Sequence, residues 1–234
     1  SPGKRHSINE AFRVLRTNLD LMIRSDQKVQ TIMVTSFNPN AGKTFTLLNL
    51  AASFALKGSR VLIADLDLRK ASLSKATGKN ASGIASYLNG KNESLDGHFV
   101  HLADNLDLLP VGSLPPNPAE LLVSDRFKEL MEDLKSRYDY IFMDCPPIQL
   151  VADTSIMAPY ADITVFIIRA GLFDKRALPE IEQLYKENRF NRMAVILNGV
   201  DTYTAHRYGY GYGYGYGYGY GYGYGYGYGN KEDE

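Results

Sequence analysis

Ser36-Phe37-Asn38-Pro39-Asn40-Ala41-Gly42-Lys43-Thr44-Phe45 lies between an apolar run that ends at Val34 and a helix-like run that begins near Lys43. A strand that delivers the chain to a tight turn and then to a helix predicts a phosphate-binding loop. Backbone N–H groups and the helix N-terminus face a polyphosphate, Lys43 reaches toward the β/γ-phosphates, and the Thr44 hydroxyl is placed to ligate Mg²⁺. The pattern G-x-x-x-x-G-K-[ST] wants glycine at position 37, where this chain has Phe37. Gly42-Lys43-Thr44 is kept, and Asn40 suits a left-handed backbone position.

Residues 29–35 (VQTIMVT) are the strand that feeds the loop. Residues 43–56 are the helix that leaves it, with Leu47, Leu50, Ala51 and Phe54 on the packed side and Gly58 as its C′ glycine. Upstream, Ile8, Phe12, Leu15, Leu19 and Met22 recur at spacings of three and four, which predicts an amphipathic helix over residues 8–23. On it Glu10, Arg13 and Arg16 stand three apart, so Glu10 and Arg13 are within reach of one another across a turn.

Downstream, residues 60–64 (RVLIA) read as a strand covered on both faces and run into Asp65-Leu66-Asp67-Leu68-Arg69. Ligands of open parallel sheets bind off the carboxyl ends of the strands, which brings both carboxylates beside the loop. Carboxylates next to a polyphosphate are unfavourable unless a cation lies between them or one takes up a proton. A second apolar strand, in YDYIFMDCPP (residues 138–147), ends in Asp144. That is a Walker B pattern, whose acid approaches the metal through a water and Thr44.

The remaining punctuation predicts a short helix over 82–88, a strand over 105–111 and a helix start at Asn117-Pro118-Ala119-Glu120. A helix over 125–137, strands over 163–168 and 193–197, and a helix over 175–187 between those two strands complete the reading. Alternating strands and helices at this spacing give an α/β fold: a doubly wound, mostly parallel sheet of P-loop NTPase type. Asn198 ends the last strand on the same edge as the loop and is a candidate for reading the base.

The chain has 234 residues, enough for one α/β domain with a substantial core. Its 26 Lys and Arg balance 26 Asp and Glu, so the charge gives no support to nucleic-acid binding. The single cysteine, Cys145, has no disulfide partner within the chain and fits a buried core position in a reducing compartment. No apolar run approaches the ~18 residues of a membrane span, and the first residues carry no signal-peptide core, so the chain as given is expected to be soluble. Ser1-Pro2-Gly3 reads as a cloning scar or a cut linker.

From residue 208 the composition changes, and the expected division is a domain over 1–207 and a flexible tail over 208–234. Tyr208, Tyr210, Tyr212, Tyr214, Tyr216, Tyr218, Tyr220, Tyr222, Tyr224, Tyr226 and Tyr228 alternate with eleven glycines. Glycine at every second place raises the entropic cost of ordering and leaves no core to bury, so the tail is expected to be disordered in isolation. It reads either as eleven phenols on a tether or as a low-complexity segment with a β-aggregation tendency.

With these motifs in hand, the chain resembles the cytoplasmic kinase domain of the bacterial tyrosine kinases that regulate capsule and exopolysaccharide export. The resemblance rests on the E-x-x-R-x-x-R helix (Glu10, Arg13, Arg16), the Walker A loop from Asn38 to Thr44, and VLIADLDLR with Asp65 and Asp67. It also takes in YIFMDCPP with Asp144 and the tyrosine cluster. The missing first glycine and the strict Tyr-Gly alternation depart from the family's pattern.

The resemblance implies ATP and Mg²⁺ on the loop residues Asn38, Pro39, Asn40, Ala41, Gly42, Lys43, Thr44 and Phe45. Thr44, Asp67 and Asp144 would hold the metal directly or through water, and Asp65 would take the proton of a tyrosine hydroxyl. It further implies that the tail tyrosines are phosphorylated in trans within a ring of copies joined through the Glu10/Arg13/Arg16 helix. A membrane adaptor, fused or separate, at the cytoplasmic face of the bacterial inner membrane and a partner protein-tyrosine phosphatase belong to the same picture. The 25 residue steps from Tyr203 to Tyr228 have an r.m.s. reach of about 25–30 Å as a Gly-rich coil, which permits the chain's own site as well as a neighbour's.

Two readings from other classes remain. A partitioning-type switch ATPase would carry Lys-Gly-Gly where this chain has Asn38, Pro39 and Asn40, and has no use for a tyrosine tail. A non-catalytic, nucleotide-gated scaffold is the other.

Overall fold

The apolar runs on either side of the loop become adjacent strands. A computed structural model of the chain describes residues 2–23, 30–78, 82–90, 94–148 and 153–200, with the side chains of 2–8 and 153 outside that description. The strands are β1 (Gln30–Ser36), β2 (Val61–Asp65), β3 (Val100–Ala103), β4 (Leu106–Leu109), β5 (Tyr140–Asp144), β6 (Ile163–Arg169) and β7 (Met193–Asn198). They form one sheet in the order β3-β4-β2-β5-β1-β6-β7, parallel throughout except for the antiparallel edge pair β3–β4. The helices are α1 (Pro2–Met22), α2 (Lys43–Ala55), α3 (Ser72–Thr77), α4 (Ile84–Leu88), α5 (Pro118–Leu122), α6 (Asp125–Arg137), α7 (Asp153–Met157) and α8 (Leu178–Lys186).

The sheet is covered on both faces. Ile32, Val34, Ile63, Phe142 and Val165 pack with Leu47, Leu50 and Phe54 of α2 and Phe12 and Leu19 of α1. Alternate residues of the same strands, Met33, Leu62, Ile141, Met143 and Phe166, pack on the other face with Phe127, Leu130 and Leu134 of α6. Each such side chain contributes about 1.5–3 kcal/mol when fully buried. The α/β expectation therefore holds, and the two-sided burial explains why the strands read as unbroken apolar runs.

Several boundaries differ from expectation for local reasons. The helix expected over 175–187 is a single 3₁₀ turn, Lys175–Ala177, followed by α8, because Pro179 lacks the N–H that an interior position would use. The short helix expected from residue 82 starts at Ile84. A Cβ on Gly83 would stand 2.1 Å from the Pro110 carbonyl oxygen, so only glycine lets that turn approach β4's exit. Gly58 (φ 96°) is three residues beyond the end of α2, one place later than a C′ glycine. Strand β3 adds to the expected elements: Asp104-Asn105, with Asn105 at φ 61°, closes a tight hairpin onto β4. The expected boundary between residues 207 and 208 and all eleven tail tyrosines lie outside the described residues.

Phe37 shows why the loop dispenses with its first glycine. Its backbone is not left-handed, unlike Asn40 (φ 62°) and Gly42 (φ 89°). Its ring turns away from the loop into a small cluster with Ile168 and Ile181 and meets Phe173 edge-on at 5.3 Å. At 3% exposure it is a core residue. Phe37→Ala is expected to lower unfolding free energy by about 3 kcal/mol in urea titrations, the cost of an emptied aromatic site. A loss below about 1 kcal/mol would show that the cluster collapses around the smaller side chain or that the ring is not packed.

Candidate active site

Strand order and register assemble the acidic residues. β5 lies between β1 and β2, and Asp65 of β2 is paired directly with Asp144 of β5, which in turn is paired with Val34 of β1 two residues before the loop starts at Ser36. α2 starts at Lys43 immediately after the loop, so its first side chain falls over the ends of these strands. Lys43 forms an ion pair and hydrogen bond with Asp144 Oδ1. Both partners are buried, Asp144 completely. Asp144 Oδ2 is also buried and has no hydrogen-bond partner.

The electrostatics follow from that crowding. Burial pushes the Asp144 carboxyl up, Lys43 pulls it back, and the Asp67 charge adds to the rise, leaving it above its ordinary value. Burial alone would depress Lys43, but the Asp144 charge and hydrogen bond, with Asp67 behind them, outweigh it and raise the ammonium. Asp65 is pushed up to about 7 by burial and then by the Asp144 charge, against hydrogen bonds from Ser74 and the Lys43 charge.

Asp65 is held on both oxygens. Ser74 donates to Oδ2 from its backbone N–H (2.8 Å) and its hydroxyl (2.6 Å), and the Asp67 N–H donates to Oδ1 at 3.2 Å. The Ser74 hydroxyl in turn accepts from the Val111 N–H at 3.0 Å. Asp67 is buried, and its Oδ1 accepts from the Lys70 N–H at 3.1 Å. Beyond Asp144, the Pro146 carbonyl accepts from the hydroxyls of Thr35 (2.8 Å) and Thr154 (2.9 Å), which ties Pro146 to β1 and α7.

Around the loop, Asn38 Oδ1 is buried without a partner, while the Asn38 carbonyl accepts from Ser36 Oγ at 2.8 Å. Thr44 is half-buried, and Phe45 is 51% exposed with an edge-on contact to Phe12 at 5.9 Å. The Asn198 amide lies against the loop: Nδ2 donates to the Ala41 carbonyl at 2.9 Å and Oδ1 accepts from the Gly199 N–H at 2.8 Å. A Cβ on Gly42 would come within 2.1 Å of that Nδ2. Arg169 Nη1 donates to the Asn40 carbonyl at 3.3 Å. Cys145 is buried beside the site, with Sγ 3.7 Å from Met157 Sδ, and burial pushes its thiol well up.

The structure therefore brings Lys43, Asp65, Asp67 and Asp144 together with loop residues 38–45 and Asn198. Glu10, Arg13 and Arg16 belong to a different place, on α1. Arg13 grips Glu10 in a two-pronged pair (2.7 and 3.0 Å) on the exposed side, whereas Arg16 Nη1 donates to the Ser53 carbonyl of α2 at 2.7 Å. Sequence reading missed Ser74 and Arg169. Neither sits at a motif spacing, and only the packing of α3 on β2 and of β6 beside the loop makes them neighbours of the site.

The residues present suit a magnesium-bound polyphosphate. A buried carboxylate oxygen without a donor, a buried ammonium beside it and a loop with two left-handed residues at the start of a helix are the donor set such a group requires.

A family model described as an AAA domain, AAA_31, matches residues 29–193. Tyrosine-protein kinase wzc of Salmonella typhimurium is 37% identical over 192 residues, covering 82% of this chain and 27% of its own length, so the chain spans about a quarter of that relative. Tyrosine-protein kinase YwqD of Bacillus subtilis is 35% identical over 202 residues, covering 86% of this chain and 85% of its own. Among solved structures, the kinase domain of the Escherichia coli tyrosine kinase ETK superposes with a TM-score of 0.76 at 30% identity, over 90% of this chain and 80% of that one. The motifs, the strand order that unites them and these likenesses agree: the chain belongs to the bacterial tyrosine-protein kinase family, on a P-loop NTPase fold.

Proposed function

We propose that this chain is an ATP-dependent protein-tyrosine autokinase that modifies the tyrosines of its C-terminal tail. The observation that carries the reading is the buried Lys43–Asp144 pair with Asp144 Oδ2 left without a partner, at the mouth of a P-loop. When bound, ATP with Mg²⁺ supplies the γ-phosphoryl group and the cation that neutralises its charge.

The chain's own residues do the rest. Lys43, now paired with Asp144, would bind phosphate oxygens, and Asp144 with Thr44 and Asp67 would hold the cation. The loop from Asn38 to Phe45 would offer its N–H groups to the phosphates, and Asn198, whose amide donates to the Ala41 carbonyl, would read the base. Asp65, raised to about 7, is suited to accept the phenol proton as the new O–P bond forms and the bond to the β-phosphate oxygen breaks. The phenol's own pKa is near 10, so positioning and charge neutralisation matter more than prior deprotonation.

The remainder of the reading concerns assembly. Copies would join in a ring through the α1 face that carries Glu10 and Arg13, each offering its tail to a neighbour's site. Arg16 holds α1 onto α2 within one copy, so its part in assembly is indirect. A membrane adaptor, fused or separate, would hold the ring at the cytoplasmic face of the inner membrane, a phosphatase would reverse it, and capsule or exopolysaccharide export would be the process controlled. Full modification adds roughly −16 to −22 charges over eleven tyrosines, at about −1.5 to −2 each, which drives copies apart.

Intact mass after incubation with ATP and Mg²⁺ tests the central claim. The expected result is a ladder of steps of about 80 Da mapping to residues 208–228 and absent in Lys43→Met. ATP turnover without protein-bound phosphate would favour a switch ATPase, and binding without turnover would favour a scaffold. Asp65→Asn is expected to lower kcat by about 10²–10⁴ with nucleotide affinity little changed. Asp67→Asn should instead raise the Mg²⁺ concentration needed for half-maximal rate, and the reverse pattern would exchange their roles.

The raised Asp65 also predicts a pH dependence of stability. The folded chain binds this proton more tightly than the unfolded chain, whose value is near 3.8, so the stabilisation is complete below about pH 3.8 and is lost as pH rises through about 7. In buffer free of nucleotide and Mg²⁺, the Tm advantage of Asp65→Asn over the parent should therefore grow between about pH 5 and pH 8. A constant difference would mean that Asp65 titrates outside that window.

A further inference from the structure

β7 is an edge strand without the usual protection. Among the described residues it pairs only with β6, and its sequence, Met193-Ala-Val-Ile-Leu-Asn198, has no proline and no charge. Exposed edges of this kind recruit further strands, and proteins normally blunt them with lysine, proline or a bulge. The Arg192 and Asn198 carbonyls accept from Thr164 N–H and Ala170 N–H on the β6 side, so even-numbered residues turn their backbone groups to β6. Those of Val195 and Leu197 turn outward and have no hydrogen-bond partner among the described residues. Ala194 and Ile196 pack on the α1/α2 side, whereas the side chains of Val195 and Leu197, on the opposite face, are 50% and 55% exposed.

The chain also carries a segment with the complementary pattern. From Tyr208 to Gly229, tyrosine and glycine alternate with period two, the side-chain period of a β-strand. As a strand, this segment would place all eleven phenols on one face and leave the other bare. We propose that the outer edge of β7 is a docking site for the Tyr-Gly tail of a second copy of this chain, which adds as an eighth strand with its tyrosines over Val195 and Leu197. Main-chain bonds to the Val195 and Leu197 peptide groups supply register-tolerant affinity. Aromatic pairs with the two aliphatic side chains contribute about 0.2–1 kcal/mol each. A repeat of two residues lets the strand slide by whole Tyr-Gly units without changing faces, so successive tyrosines can be presented from one docked segment.

Phosphorylation reverses the docking. Neighbouring phenols on one strand face stand about 6.6 Å apart, so adjacent phosphates, at about −1.5 to −2 each, repel along the strand. The docking requires only the edge and the tail and holds whether or not the chain transfers phosphate.

Amide hydrogen exchange on the full chain, without nucleotide, tests it. Raising the protein concentration, or adding a synthetic (Tyr-Gly)₅ peptide, is expected to slow exchange at the Val195 and Leu197 amides by about tenfold or more. The same peptide with every tyrosine phosphorylated should give no protection, and a full-length variant with the eleven tail tyrosines changed to serine should lose the concentration dependence. Val195→Lys with Leu197→Lys should abolish peptide protection while leaving the thermal melt within about 2 °C, since both side chains are surface positions. Protection that persists in the serine-tail variant would overturn the proposal in favour of β7 pairing with another β7. Peptide binding that the double lysine variant leaves intact would place the tail elsewhere.

Discussion

Asp65 and Asp144 face one another across the β2–β5 pairing, both fully buried, and among the described residues a single ammonium, Lys43, is committed to one of them. Two carboxylates against one lysine is an unfavourable count in a place that water does not reach, and burial of ions is costly even when they are paired. The rise of Asp65 to about 7 is the visible response: the folded chain relieves the crowding by taking up a proton near neutrality. Ser74 works against that relief with two hydrogen bonds that favour the ionised form, so the carboxylate is held in orientation as well as perturbed. A core laid down for stability alone would not set acids in register on neighbouring strands. The arrangement becomes favourable when further positive charge enters, and the unpartnered Asp144 oxygen marks where that charge is short.

The loop depends on the same strand order. Its shape comes from two left-handed residues, Asn40 and Gly42, and from supports on either side: Arg169 on the Asn40 carbonyl and Asn198 on the Ala41 carbonyl. Those supports project from the ends of β6 and β7, so the sheet holds the loop from the side opposite the acids. Phe37 anchors the loop's first turn from below by filling a cluster between β6 and α8. The glycine usual at that position allows close backbone approach, and here apolar packing fixes the chain instead.

Most of this was legible because it is written locally. Walker A, the Asp65–Asp67 pair and the apolar strand into Asp144 each couple a strand ending to a chemical group, and the two-sided burial of a parallel sheet makes the strands continuous apolar runs. What was hidden depends on contacts distant in sequence. Ser74 reaches Asp65 only because α3 folds back over the end of β2. Arg13 and Arg16 share a spacing, yet one grips Glu10 on the exposed side and the other crosses to the Ser53 carbonyl, a difference set by the lie of α2 and invisible to periodicity. The β3 hairpin is faint in the sequence although Asp104-Asn105 is a fair two-residue turn, because its strands are only four residues long.

β7 joins the two halves of the molecule's chemistry. Its last residue, Asn198, supports the nucleotide loop through the Ala41 carbonyl, and its middle residues, Val195 and Leu197, form the unprotected edge. Side chains alternate across a strand, so Asn198 belongs to the face that packs toward α1 and α2, and Leu197 to the opposite face. One short strand thus serves the loop with one set of residues and carries the other set, half exposed, on its opposite face. That separation explains why β7 can remain charge-free: a lysine or glutamate placed at Ala194 or Ile196 would be buried against the α1/α2 layer beneath the loop support. No such constraint acts on Val195 and Leu197, whose side chains are 50% and 55% exposed.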